Sequence, residues 1–347
     1  MNKISVGIPT YCRPESLLKR IDEFENFRHV LFELVIRDNS PESDPRLLAR
    51  VQNVDWIDYR LNSSNIGGGA NFLRVVEEAN GDFLWWRGDD DPITTAQVNA
   101  LLASLPDKES LVILSPSETR FFESQGVSNF ASHFGKVRSM GWFSMVVLPL
   151  KTAKKALPYG YWGIHTGWAN ICLILGLFRS NPELPFCVIP FNMGHTDFRE
   201  DGRTTMWWAF FQTCIKQFPL TSDVISNVTI RKEYLHHWRK TQKFKLLKTM
   251  ARLRVGLSKQ ESISITTLLP LVHWRSPRTS LLALLLYCIS KIPRACLRII
   301  LAIYSKKLSP HELERLELQF LNAEDSISAR YRLICDNATN EKVGSFL

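Results

Sequence analysis

Asp82-Phe83-Leu84-Trp85-Trp86-Arg87-Gly88-Asp89-Asp90-Asp91-Pro92 decides how this chain is read. A short apolar, aromatic-rich run bounded by turn residues predicts a strand. Three consecutive carboxylates follow it almost at once, and they repel one another, so a fold keeps them where a cation or ample solvent is close. At the end of an apolar strand, such a cluster is placed to bridge a hard divalent ion to a diphosphate. Mg2+ and Mn2+ use one or two carboxylates plus phosphate oxygens. The same residues also fit a solvated acidic turn in which Asp90 or Asp91 caps the next helix.

Upstream, strand-like and helix-like runs alternate. Ile4-Ser5-Val6-Gly7-Ile8 is β-rich and ends at Pro9-Thr10, and residues 14–28 space Leu17, Leu18, Ile21 and Phe24 at helical intervals behind Pro14. Residues 33–36 predict a second strand closed by Asp38-Asn39-Ser40-Pro41, residues 46–51 a short helix, and residues 56–60 a third strand. Asn65-Ile66-Gly67-Gly68-Gly69 is a loop before a helix over 70–80. Alternation at this pace predicts βαβ units and a mainly parallel sheet. Open sheets of that kind bind ligands at the carboxyl ends of their strands. Polar groups collect at those ends here: Thr10 and Arg13, Asp38, Asn65, then the aspartates.

Single features along this rim carry less. Tyr11 offers a ring for base stacking and Arg13 a guanidinium for phosphate, while Tyr11 equally suits covering a sheet edge. The glycine loop lacks the spacing of dinucleotide folds and reads as a flexible turn or as a phosphate-side contact. Asn71, just inside the predicted helix, suits a ligand contact or a backbone cap. Further on, residues 111–114, 143–148 and 186–191 read as strands, 171–178 as a buried helix, and 205–218 as a helix rich in aromatics.

The 347 residues, 45% hydrophobic and 22% charged, describe a globular protein, which excludes wholesale disorder, collagen and small disulfide scaffolds. Seven cysteines without a C-x-x-C pair point to a reducing compartment rather than a disulfide framework or zinc cage. The first residues enter a strand-like run directly, so no signal peptide is expected and the chain is placed in, or facing, the cytosol.

Charge is unevenly spread. Between Arg231 and Lys307 stand 17 Lys/Arg against Glu233 and Glu261, a balance of +15 that leaves the rest of the chain at −6 within the total of +9. An anionic partner and solvated helix faces both explain such a segment. Its longest apolar run, 281–289, is far short of the ~20 residues of a membrane span. Lys291, Arg294 and Arg298 share one helical face beside Leu297, Ile299, Ile300, Leu301 and Ile303. That pattern suits an amphipathic helix lying in a membrane surface, or a helical pair packed on the body. The expected division is a catalytic domain over 1–220 and a basic, mostly helical region over 221–347.

Taken together, Ile8-Pro9-Thr10-Tyr11-Cys12-Arg13, Ile36-Arg37-Asp38-Asn39-Ser40, Asn65-Ile66-Gly67 with Asn71, and Gly88-Asp89-Asp90-Asp91 resemble family-2 glycosyltransferases in order and spacing. Within that family the likeness is to the abequosyltransferase-like branch of bacterial surface-polysaccharide synthesis. It covers roughly residues 4–95 and weakens toward about 200. The resemblance implies a GT-A fold, an α/β architecture whose mainly parallel sheet is flanked by helices, followed here by a helical C-terminal region. It implies an inverting, metal-dependent transferase of hexosyltransferase type that uses a nucleotide-sugar donor and Mg2+ or Mn2+. The implied acceptor is a lipid-linked oligosaccharide of O-antigen or another surface polysaccharide. A peripheral position on an anionic membrane surface, the inner face of the cell membrane, would follow.

The resemblance also assigns residues. Pro9, Thr10, Tyr11 and Arg13 would line the nucleotide pocket, and Asp38 would accept the base imide N–H. Asn65, Gly67 and Asn71 would border the nucleotide and the sugar. Asp90 and Asp91 match the usual acidic pair, which would hold the metal, while Asp89 occupies a more variable place in the donor pocket. Cys12 stands where Asn is common. The family's catalytic acidic pair lies at the start of a downstream helix ending in Gly. Counted back from Gly176, that place holds Ile164-His165-Thr166-Gly167. His165 suits proton abstraction, since an imidazole titrates near neutrality, and it equally suits an acceptor contact or a buried carbonyl. Asp197 is the second candidate base, followed by Glu200 and Asp201.

Other functions fit less well. A sugar nucleotidyltransferase needs a Gly- and Lys/Arg-rich loop after the first strand, which is missing. A basic nucleic-acid- or membrane-binding protein without catalysis would leave the aspartates unexplained, and on an exposed rim they repel phosphate. No nucleic-acid partner is expected.

Overall fold

The computed structural model of the chain describes residues 2–191 and 217–241, together with Leu284, Tyr287 and Cys288. The chain divides into two compact units, the first made of Met1–Asp197 and Leu220–Trp238, and this unit contains the whole described sheet.

Four parallel strands form its first half: β1 (Ile4–Thr10), β2 (Glu33–Asp38), β3 (Ile57–Leu61) and β4 (Phe83–Trp86), in the order β3-β2-β1-β4. They alternate with α1 (Pro14–Glu25), α2 (Pro45–Val51) and α3 (Gly68–Glu78). The sheet continues through β7 (Val146–Pro149), antiparallel to both neighbours, then β5 (Leu111–Ser115), β8 (Pro185–Pro190) and the edge strand β6 (Phe122–Gln125). The chain forms the expected α/β architecture, a sheet flanked by helices, but the sheet expected to be mainly parallel is mixed, because β7 and β6 run antiparallel to their neighbours.

Local chemistry sets the elements. Pro14 opens α1, whose Leu17, Ile21 and Phe24 are fully buried. Asp44 caps α2 by accepting from the Arg46 amide at 2.8 Å. Thr94 caps α4 (Thr95–Ser104) in a capping box with Gln97, so the reading of Asp90 or Asp91 as a helix cap is corrected. The three carboxylates are therefore left for another purpose.

Alternation along the strands builds two layers. Val6, Ile8, Leu34, Ile36, Phe83 and Trp85 join α1 and α4 in one continuous apolar cluster. On the other face α3 lies directly on the backbone of β1: a Cβ at Gly7 would stand 2.2 Å from Val75 Cγ1. After the short helices α5 (Gly126–Ser132) and α6 (Phe134–Val137), α7 (Leu150–Trp162) and the almost wholly buried α8 (Ala169–Ser180) pack with α3.

From β1 the chain steps outward to β2 and β3, then returns to place β4 on the other side of β1. The crevice at the carboxyl ends of β1 and β4 is thus the topological switch point. α7 brings a second group of residues to this rim. Its first residue donates from the Leu150 amide to Asp82 O at 2.9 Å, at the amino end of β4. Thirteen residues of helix, about 20 Å, carry the chain back toward the carboxyl end.

One expected strand is shorter than its sequence suggests. Of residues 143–148, Phe143–Met145 form a 3-10 turn and only Val146 onward is extended. The Phe143 ring packs against Phe72 at 4.5 Å and Ser144 is drawn into hydrogen bonds with Gly88 and Asp91, which a straight strand would forbid. The helical reading beyond 230 is realised in Val228–Thr241, whose Tyr234 is buried edge-on to Phe134. Residues 205–216 of the helix predicted over 205–218, and the amphipathic stretch over 291–307, lie outside the described residues, and Phe218 opens the 3-10 helix Phe218–Val224.

Candidate active site

Thr10 and Asp38 end β1 and β2 directly opposite one another. Asp38 is 3% exposed, and its carboxylate is held from both sides. Oδ1 accepts from the Ser40 amide at 2.8 Å and from the Ser40 hydroxyl, and Oδ2 accepts from the Tyr59 hydroxyl at 2.9 Å. Ser43 Oγ lies 2.7 Å from the same phenol oxygen. Burial, and then the neighbouring Asp38 carboxylate, push Tyr59 up to about 12 against the lowering effect of Ser43. Tyr59 therefore stays protonated and donates. Ser40 Oγ also accepts from the Cys12 amide at 2.8 Å, and Cys12 makes that bond from the left-handed region, at φ +53°.

Across the crevice, Thr10 Oγ1 donates to Asp89 Oδ2 at 2.7 Å. Arg13 Nη1 reaches Asp89 Oδ1 at 2.9 Å and Asp90 Oδ2 at 3.1 Å. Burial raises the Asp89 carboxyl above its ordinary range, in spite of the lowering effects of Thr10 and Arg13. Asp91 is buried and accepts from the Gly88 amide at 3.3 Å and from the Ser144 hydroxyl. Beneath the turn, fully buried Arg87 donates to Asp91 O at 3.0 Å and to Pro92 O at 2.7 Å. Burial lowers Arg87 to about 10, which leaves it a cation under three carboxylates at neutral pH.

Gly88 shows how those carboxylates are aimed. A Cβ there would stand 2.9 Å from Asp90 Oδ1 and 2.8 Å from Asp91 Oδ2, so the two oxygens converge on one small space that only glycine leaves open. Two converging carboxylates suit Mg2+ or Mn2+ whose other ligands are phosphate and water. Among the described residues no three His, Cys, Asp or Glu side chains form a group that could hold a metal ion.

The Asn residues divide by role. Asn71 is buried, donates to Arg37 O at 2.8 Å and Thr10 O at 3.4 Å, and accepts from Asn62 at 2.8 Å. Its amide thus ties α3 to the ends of β1 and β2. Asn65 is exposed and accepts from the Gly67 amide at 2.9 Å, turning the chain into α3. Gly67 adopts φ +81°, ψ 152°, a backbone region open only to glycine. Pro9 is half-buried beside Arg37, and Tyr11 is 50% exposed at the lip.

His165 sits in the exposed 3-10 turn Gly163–Thr166 that follows α7. Its Nδ1 lies 2.6 Å from the Trp162 carbonyl oxygen, and its ring is edge-on to the Trp162 indole at 4.9 Å. A Cβ at Gly69 would meet Ile164 Cγ1 at 3.6 Å, so this turn lies against the first turn of α3. Asn71 in that same turn reaches Thr10, which places His165 on the rim that holds the carboxylates. Asp197, Glu200 and Asp201 lie outside the described residues.

Four residues of the site have no assigned role in the sequence reading: Ser40, Tyr59, Arg87 and Ser144. Ser40 ends the Ile36–Ser40 motif and Arg87 lies within the Asp82–Pro92 stretch, while Tyr59 lies on the inward side of a predicted strand. Ser144 carries no local signal at all.

The α/β sheet thus carries a guanidinium and paired carboxylates at its switch point, the place where open sheets of this kind bind ligands. Residues 5–167, from β1 to the end of the His165 turn, match the family described as glycosyl transferase family 2, and this stretch is a domain of that family. Abequosyltransferase RfbV of Salmonella typhimurium is 34% identical over 122 residues, 33% of this chain and 36% of that protein. The GalNAc(5)-diNAcBac-PP-undecaprenol beta-1,3-glucosyltransferase of Campylobacter jejuni is 29% identical over 107 residues, 29% of this chain and 34% of that one. The chain thus spans about a third of the length of the curated relatives it matches. Among solved structures, the mannosyltransferase PcManGT from Pyrobaculum calidifontis in complex with GDP-Man and Mn2+ aligns with a TM-score of 0.48 at 12% identity, over 96% of this chain and 88% of that one.

Proposed function

We propose that this chain is an inverting, metal-dependent glycosyltransferase that moves a hexosyl unit from a nucleotide-sugar donor to a lipid-linked oligosaccharide in bacterial surface-polysaccharide synthesis, such as O-antigen. One observation carries this reading. The Thr10–Asp89 hydrogen bond closes the crevice between β1 and β4, with Asp38 in register on one side and the Asp90–Asp91 pair on the other. That layout offers a carboxylate acceptor for a base N–H, a guanidinium for phosphate and a cation-binding pair in one row. The names of the two relatives, both sugar transferases and one acting on a PP-undecaprenol substrate, support the same reading.

In this mechanism Asp38 accepts an N–H of the base, Tyr11 covers the base face, and Arg13 pairs with the diphosphate. Asn65 and Gly67 border the sugar, and Asn71 fixes the turn they stand on. Asp90 and Asp91 would hold Mg2+ or Mn2+, which neutralises charge on the leaving diphosphate. His165 accepts the acceptor hydroxyl proton at Nε2, and attack from the opposite face inverts the anomeric carbon. Asp197 is the alternative base. The basic segment 231–307, within a C-terminal region over 221–347, holds the enzyme peripherally on an anionic cytoplasmic membrane face. No helix among the described residues is long and apolar enough to cross a membrane.

The test is a panel of UDP-, CDP-, GDP- and dTDP-sugars incubated with the protein, with and without Mn2+, and read by mass spectrometry. Release of a nucleoside diphosphate from one donor, dependent on the cation, is expected. No turnover of any donor would overturn the reading.

A further inference from the structure

Arg13 Nη1 stands between Asp89 Oδ1 at 2.9 Å and Asp90 Oδ2 at 3.1 Å, so one guanidinium nitrogen serves two carboxylates. The two carboxylates differ. Asp89 is buried, with its second oxygen held by Thr10. Asp90 has a side chain 29% exposed, and its other oxygen faces Asp91 across the space above Gly88. Arg13 itself is 46% exposed, on a long flexible stem at the lip of the crevice.

Charge then limits what these groups can do together. Among the described residues, Arg13 pairs with Asp89 and Asp90, and Arg87 feels the charges of Asp91 and Asp90. Arg87 is held by two backbone carbonyls, whereas the Arg13 side chain is half-exposed at the lip of the crevice. A divalent cation arriving at Asp90 and Asp91 would meet the Arg13 guanidinium on the same Asp90 carboxylate, and like charges repel there. A diphosphate arriving with the cation offers the guanidinium a better partner, because paired phosphate oxygens match its fork.

We propose that Arg13 is an exchangeable counter-cation: without donor it pairs with Asp89 and Asp90, and when a divalent cation and a nucleoside diphosphate enter together, the cation takes its place at Asp90 and the guanidinium turns to the diphosphate. Thr10 keeps Asp89 held through the exchange. The inference rests on the donor-site reading above and adds to it a thermodynamic coupling: cation and nucleotide each bind better when the other is present, because one residue changes partner between them.

Calorimetry on the full chain tests this, with Mn2+ alone, with UDP, CDP and GDP in chelator, and with each nucleotide plus Mn2+. In the wild type, Mn2+ alone is expected to bind weakly, and more tightly with the nucleotide that fits. In Arg13→Gln, Mn2+ alone is expected to bind about 2- to 5-fold more tightly, the worth of losing a half-exposed ion pair that competes with it. The nucleotide with Mn2+ should bind more weakly in the same variant, so the coupling shrinks. Arg13→Lys keeps the charge and should return Mn2+ alone toward the wild-type affinity. A merely structural Arg13 would move both affinities downward, and that result, or an unchanged Mn2+ affinity in Arg13→Gln, overturns the proposal. If Arg13→Gln fails to fold, wild-type protein decides: independent binding of Mn2+ and nucleotide refutes the exchange. No Mn2+ binding even with nucleotide would instead overturn the metal reading beneath it.

Discussion

His165 Nδ1 lies 2.6 Å from the carbonyl oxygen of Trp162, three residues earlier in the chain. A carbonyl only accepts, so the proton of the neutral ring sits on Nδ1 and the lone pair on Nε2. The Trp162 indole, edge-on at 4.9 Å, limits rotation of the ring. Nε2 is therefore presented as a proton acceptor in an exposed turn that abuts the first turn of α3.

If His165 is the base, His165→Gln should lower kcat by about 100- to 10,000-fold and leave donor nucleotide affinity unchanged. Steady-state kinetics with calorimetry separates the two. Full turnover in His165→Gln, with loss in Asp197→Asn, would move the base to Asp197.

The Asp38 carboxylate depends on Tyr59 and Ser40 for its orientation. Asp38→Ala should weaken nucleotide binding by about 1.5–3 kcal/mol, the worth of a hydrogen bond to a charged group. Tyr59→Phe removes one donor behind that carboxylate and should cost less, about 1 kcal/mol. Isothermal titration with the preferred nucleoside diphosphate measures both, and an unchanged affinity in Asp38→Ala would remove Asp38 from the base site.

Asp90 and Asp91 converge over Gly88, with Ser144 donating to Asp91. Asp90→Asn and Asp91→Asn should each abolish cation-dependent transfer while the thermal unfolding curve stays cooperative. Ser144→Ala keeps every charge and should reduce turnover far less, by about one hydrogen bond's worth, near 1 kcal/mol. Full activity of both Asn variants in chelator would dismiss a metal role.

What the sequence made legible follows from its periodicity. Thr10 and Asp38 end strands of a βαβ run, Arg13 and Asp89–Asp91 follow strand ends by a few residues, and parallel strands place all their carboxyl ends on one rim. Position along the chain therefore implied proximity in space. Ser144 had no such route. It enters because β7 inserts antiparallel between β4 and β5, a sheet order that local pattern does not encode. The competing reading of the acidic turn turned on one residue: Thr94 already satisfies the amide that an aspartate would have capped. Asn71 was placed correctly at the helix start, but its amide is spent on two backbone carbonyls and Asn62, so it positions the loop rather than facing the crevice.

Cys12 carries a cost that its chemistry does not repay. At φ +53° a β-carbon crowds the neighbouring carbonyl, whereas Asn tolerates this region through local hydrogen bonding. Cys12→Asn should stabilise the fold by roughly 0.5–1 kcal/mol, and Cys12→Val should destabilise it by about 1–2 kcal/mol. Urea midpoints at constant m-value report both. Equal stability of the Val variant would show that the loop relaxes out of the left-handed region.

Asp89 carries a cost of a different kind, a carboxyl group taken out of water. Burial raises its carboxyl above the ordinary 3.8, so the folded chain holds this proton more tightly than the unfolded chain does. The stability from that preference is fully present below 3.8 and is lost as pH rises through the raised value. Above that raised value the ionised, buried Asp89 therefore weighs against folding, and the half-exposed Arg13 returns only part of it. Asp89→Asn removes the charge and keeps an oxygen for the Thr10 hydroxyl. In chelator, we expect this variant to melt above the wild type at neutral pH, with the gap closing as pH falls toward 3.8, and to transfer sugar poorly. Differential scanning calorimetry across pH reads the gap directly. A variant that melts below the wild type at neutral pH would mean that the Arg13–Asp89 ion pair outweighs the cost of burying the charge.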